Sequence, residues 1–153
     1  MHTTLPITGG CACGKIRYEI NAQPLFMYQC HCRDCQQATG GLYAPNVWFP
    51  VAAITLSGET KCHSVETDAG NTASHDFCGD CGSPIGMRTS STDRARGFRA
   101  ATLDDWSWLE PMANIYMKNS PPWEVTNADL QVFDGAVPDE FTAQMIRNQR
   151  EIS

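Results

Sequence analysis

The chain has 153 residues, enough for one domain, and with 42% hydrophobic and 18% charged residues it has a core to bury, which excludes a disordered segment. A formal net charge of -6 argues against nucleic acid or an anionic membrane surface as the main partner. Eight cysteines then leave a choice between disulfides and metal. The start Met1-His2-Thr3-Thr4-Leu5-Pro6 is too polar and too short for an export leader, and no apolar run is long enough to span a bilayer. The expectation is a cytoplasmic protein whose thiols stay reduced, so that clustered cysteines are ligands or catalysts; a disulfide-rich secreted domain is the alternative.

In chain order, Gly9-Gly10-Cys11-Ala12-Cys13-Gly14 is a tight turn that points both sulfurs one way. Lys15–Ile20 alternates polar and apolar, as a half-buried strand does, and Leu25–Tyr28 is a second short strand leading into Cys30 and Cys32. Arg33–Thr39 is expected to form a short helical turn stopped by Gly40-Gly41. Leu42–Phe49 reads as a strand, with Pro45 placing it at an edge or a bulge. Strands follow around Ile54–Leu56 and as a hairpin, Lys61–Val65 with Ala73–Phe77, across Asp68-Ala69-Gly70-Asn71. Ile85–Thr89 and Phe98–Leu103 read as strands separated by a polar Ser90–Arg94 loop, and Asn114–Met117 as a late strand. Pro138-Asp139-Glu140, then Phe141, Met145 and Ile146, marks a helix start with a partly apolar face. The sum is a mostly β fold of residues 1–136, with a helical tail over 137–153.

Two cysteine groups carry the chemistry. Cys30-x-Cys32-x-x-Cys35 places three thiols close enough to converge on one soft or borderline cation, and three protein ligands leave a tetrahedral ion one free position. Cys11-x-Cys13 and Cys78-x-x-Cys81 are two glycine-flanked pairs far apart in sequence. Together they would complete a closed, structural shell that staples the fold, unless one of the triplet cysteines exchanges into it.

Gly10-Cys11-Ala12-Cys13-Gly14, Cys30-His31-Cys32-x-x-Cys35-x-x-Ala38-Thr39-Gly40 and Phe77-Cys78-Gly79-x-Cys81-Gly82-Ser83-Pro84, in that order, resemble the glutathione-dependent formaldehyde-activating enzymes. That superfamily includes centromere protein V. The resemblance runs through about residues 8–125, including Asn114-Ile115-Tyr116 and Pro122-Trp123. It implies stacked antiparallel sheets and two Zn2+ ions. One is structural, on Cys11, Cys13, Cys78 and Cys81; the other is catalytic, on Cys30, Cys32 and Cys35. It also implies a carbon–sulfur lyase that joins glutathione, a small thiol, to formaldehyde as S-hydroxymethylglutathione. The chain departs from the pattern at Asn114, where many members carry a histidine. The rival reading is a non-catalytic zinc module that binds a protein partner, as a related Rab-binding zinc protein does.

The remaining candidates each have a structural and a functional reading. His31 is either support for the flanking ligands or a proton relay, or else a solvent-facing turn residue. Arg33 would shield thiolates or bind a substrate carboxylate. Cys62 reads as a small buried hydrophobe, the alternative being a fourth ligand with His63. His75 reads as an ordinary strand residue. Trp48, Trp106, Trp108 and Trp123 are expected in the core or a pocket wall, with Trp48 and Trp123 nearest a substrate, and Asp104-Asp105 as a turn rather than an acid pair.

Overall fold

The computed structural model describes residues 1–151. Its elements are β1 (Ile7–Gly10), β2 (Arg17–Ile20), β3 (Phe26–Cys30), α1 (Arg33–Thr39), β4 (Ala44–Pro50), β5 (Ile54–Ser57), β6 (Thr60–Glu66), β7 (Thr72–Cys78), β8 (Pro84–Thr89), β9 (Thr92–Arg99), β10 (Ala113–Ile115), β11 (Gln131–Val132) and α2 (Asp139–Glu151). β1, β2 and β5 form a small antiparallel sheet. The large sheet runs β11-β10-β3-β4-β9-β8-β7-β6; it is antiparallel except at one end, where β10 lies parallel to both β3 and β11.

Alternation along the strands makes two cores, one on each face of the large sheet. Ile7, Tyr18 and Ile20 of the small sheet meet Met27, Val47, Phe49, Ile85 and Phe98 of the large one. On the other face, Phe26, Trp48, Ala73, Met87 and Ile115 are buried together with Cys30 and Cys35, and Phe133, Phe141 and Ile146 pack over them. Phe141 and Ile146 thus bear out the apolar face of α2; the side chain of Met145 lies outside the described part. α1 stops at Gly40, whose φ of 71° is left-handed and whose N–H closes on the Gln36 carbonyl at 2.8 Å.

Three strand expectations need correction. Pro45 is not on an edge strand, because β4 lies between β3 and β9. It pairs with Gln29 on one side but lies one residue beyond the last β4–β9 pair, Asn46 with Arg99, so that ladder loses nothing to a missing N–H. β9 begins at Thr92, inside the expected loop, and ends at Arg99; Ala100–Thr102 is a 3-10 turn. β10 stops at Ile115, because Tyr116 turns left-handed (φ 57°) and Met117–Asn119 winds into another 3-10 turn.

Candidate metal centres

Cys11 and Cys13 sit in the turn between β1 and β2, and Cys78 and Cys81 in the turn that leaves β7. Gly82, at φ 74°, lets that second turn double back, its N–H on the Cys78 carbonyl at 2.9 Å. The four sulfurs lie within 4.8 Å of one another. Cys11 Sγ is 3.4 Å from Cys13 Sγ, and Cys13 Sγ is 3.8 Å from Cys78 Sγ. Zn–S bonds of about 2.3 Å in a tetrahedron put sulfurs roughly 3.8 Å apart, so the donor set fits such an ion. Backbone N–H donors soften the charge, as Ile16 does to Cys11 Sγ at 3.2 Å. Ser83 Oγ stands 3.2 Å from Cys81 Sγ, and this contact leads the effects that hold the Cys81 thiol down at about 5. Lys15 Nζ and Asp80 Oδ1, 2.6 Å apart, join the two turns at the surface.

The second group is built on one short stretch. β3 ends on Cys30, and Cys32 caps α1, its sulfur accepting from the Cys35 N–H at 3.3 Å. The three sulfurs lie within 4.8 Å of one another, with Cys30 and Cys35 buried and Cys32 half-buried. Against them lies Arg99, 2% exposed, with Nη1 4.0 Å from Cys35 Sγ. No carboxylate is in ion-pair range of Arg99 among the described residues. A buried guanidinium needs a counter-charge, and the thiolates supply it. The Cys35 thiol is pulled down to about 3, first by the thiols of Cys30 and Cys32 and then by Arg99, while Cys30 is pushed up, first by Cys32 and then by Cys35. Three thiolates around a divalent ion carry a net -1, which Arg99 would balance. This group also fits a metal, with its exposed side at Cys32.

A family model for the glutathione-dependent formaldehyde-activating enzyme matches residues 6–119, which include all seven of these cysteines. The chain belongs to that family. A crystal structure of a Rhodobacter sphaeroides protein has the same fold, with a TM-score of 0.51 at 22% identity, over 68% of this chain and 91% of that one. The glutathione-dependent formaldehyde-activating family is a family of enzymes, and the seven cysteines within the matched residues form two separate groups able to hold metal. No helix among the described residues is long and apolar enough to cross a membrane.

Around the family motifs, several residues stand differently from the sequence reading. His31 is not solvent-facing: it is fully buried, its Nε2 3.0 Å from Glu124 Oε1 and its Nδ1 3.3 Å from the Ile115 carbonyl. Ser120 Oγ donates to the other Glu124 oxygen at 2.5 Å, so the triplet loop is tied to the Pro121-Pro122-Trp123 segment from beneath. Arg33 donates to Gln36 Oε1 at 2.6 Å; the cation over the sulfurs is Arg99. Cys62 is exposed rather than buried, on β6 at the edge of the large sheet. Neither Cys62 nor His63 joins the triplet group. Trp48 is core, stacked on Phe26, and Trp108 packs against the inter-sheet core. Trp106 is 60% exposed and Trp123 69%, so Trp106 is no core residue, while Trp123 walls a hollow of about 300 Å³ with Arg33, Gln37 and Asn119. Asp104 pairs with Arg17 and Thr8, and Asp105 caps Ser107, as turn residues do. Asn114 is buried beside Gln29, on the sheet face turned away from Cys30, and neither of its amide atoms has a partner.

Sequence reasoning missed Arg99 and Tyr116. The signal for Arg99 was a charge one residue after a buried Phe98, at the end of a strand. Tyr116 carries the positive φ, a costly conformation for a tyrosine. Its phenol is pushed up by burial first, then by the nearby Cys30 and Cys32.

Proposed function

We propose that this member of the glutathione-dependent formaldehyde-activating family is a zinc-dependent carbon–sulfur lyase, joining glutathione to formaldehyde as S-hydroxymethylglutathione. Two zinc ions serve it. Cys11, Cys13, Cys78 and Cys81 hold the structural one, and Cys30, Cys32 and Cys35 the catalytic one. The observation that carries this reading is the contrast in ligand number, four sulfurs in one group and three in the other, with Cys32 the least buried of the three.

Zinc at the triplet would keep a substrate thiol ionised at neutral pH and leave its sulfur nucleophilic. The chain's own residues do the rest. Arg99 offsets the negative charge that an additional thiolate brings. His31 and Glu124 fix the loop that carries Cys30 and Cys32. Arg33, at the rim of the 300 Å³ hollow, offers its guanidinium fork to a carboxylate of the thiol, and Trp123 offers apolar surface to the peptide stem. The non-catalytic alternative requires a fourth protein ligand, and Cys62 and His63 do not stand with the three sulfurs.

The test is turnover. Zinc-replete protein mixed with glutathione and formaldehyde should speed adduct formation above the spontaneous rate, followed by NMR of the new methylene, and Cys35→Ser should abolish the gain. Equal rates with and without the wild-type protein would overturn the enzyme reading.

A further inference from the structure

A second hollow lies across α1 from the first. It measures about 320 Å³, and Asp34, Gln37, His63, Val65, His75 and Arg99 are among the residues that wall it. We infer that this cleft receives the carbonyl oxygen of the electrophile, and that the Nε2–H of His75 is the donor that binds it. The inference rests on the thiol chemistry proposed above and assigns its second substrate a place.

The geometry starts at Arg99. A guanidinium only donates, so the 2.9 Å contact between Arg99 Nη2 and His75 Nδ1 makes Nδ1 the acceptor. The proton of the neutral ring is then on Nε2. Burial, then the Arg99 charge, hold the His75 pKa below its ordinary value, so the ring stays neutral. His75 is 6% exposed, and its Nε2 has no partner. Arg99 Nε and Asn46 Nδ2 are also buried without partners, and Asn46 Oδ1 accepts from Arg99 Nη1. Three unsatisfied donors therefore belong to one hydrogen-bonded chain that ends on Cys35 Sγ. Buried donors left without acceptors cost stability unless a ligand uses them. His75 is the member of that chain, with Arg99, that borders the cleft. Asp34 also lines the cleft, so that a neutral carbonyl enters it more readily than a carboxylate would.

The step balances simply. The thiolate sulfur donates an electron pair to the carbonyl carbon and forms the C–S bond. The C=O π pair moves to oxygen, which His75 holds by its N–H. A proton from cleft water completes the hydroxyl, and the proton the thiol gave up on binding neutralises the hydroxide left behind. A neutral imidazole suits this role, because it stabilises developing charge without having to be recharged each cycle.

The test uses the zinc-loaded full chain, with His75→Phe and His75→Gln. Two probes, 2-mercaptoethanol and ethanethiol, differ by a hydroxyl that can accept from Nε2–H. Wild type should prefer 2-mercaptoethanol by about fivefold, the worth of one net hydrogen bond. His75→Phe should erase that preference while leaving ethanethiol affinity and two metals per chain unchanged, and should lower the adduct-forming kcat by about 100-fold, as loss of an oxyanion donor does. His75→Gln, which keeps an N–H, should restore part of both. A preference and rate that survive His75→Phe would overturn this inference alone. So would loss of a metal in both variants, which would make His75 a structural support. Failure of wild type to bind either thiol would overturn the proposed chemistry, and this inference with it.

Discussion

The four-cysteine group draws its ligands from turns 65 residues apart, and two of its sulfurs, on Cys13 and Cys81, face solvent. The triplet comes from six consecutive residues and turns two of its three sulfurs into the core. The first group has an exposed ion pair, Lys15 with Asp80, beside its sulfurs. The second sits on a buried Arg99 that has no carboxylate partner among the described residues. The difference teaches what each is for. Long-range ligands convert metal binding into chain closure, whereas local ligands add little closure and leave their free energy for chemistry.

The largest effect should come from breaking the closed group. Cys78→Ser removes a buried ligand from a site whose metal binding, roughly 10 kcal/mol in comparable small domains, is coupled to folding. Cooperative unfolding should be lost in thermal or urea denaturation. Cys35→Ser should instead remove one metal and the activity while the cooperative transition persists; if both variants unfold alike, the division of labour is wrong.

Next is His31→Ala. It leaves the Glu124 carboxylate buried without its ring partner, at a cost of about 3–5 kcal/mol measured by urea unfolding. Arg99→Gln tests the triplet's counter-charge. Its affinity for the second metal, measured by chelator competition, should fall about 10- to 100-fold, with the closed site unaffected.

The smallest effect concerns a turn near neither ion. Arg17 first, then Thr8, hold the Asp104 carboxyl below its ordinary value. A lowered carboxyl stabilises the fold above the unfolded pKa of about 4, and that contribution disappears as pH falls through the lowered folded value. The pair is half-exposed, so Asp104→Asn should cost only about 0.5 kcal/mol at pH 7 and nothing at low pH.

Much of this was legible because its causes are local. Alternation located most strands, and glycine-flanked cysteine spacing located both groups, since the ligands of each turn are set by a few bonds of chain. Arg99 and His75 were not legible, because only the β7-β8-β9-β4 pairing brings His75 onto Arg99, and Arg99 beside Cys35. Cys62 misled because strand position gives two faces and the sequence does not say which is wet. Trp106 misled for a related reason: aromatic content suggests burial, but the turn that holds it has nothing above it to pack against.

The most direct measurement is a metal count joined to zinc K-edge absorption on freshly reduced, zinc-loaded protein. The expected result is two zinc ions per chain with an average of about 3.5 sulfurs each, the remaining ligand being oxygen or nitrogen. One zinc per chain, or four sulfurs around both ions, would contradict the central claim that one group is saturated and the other open.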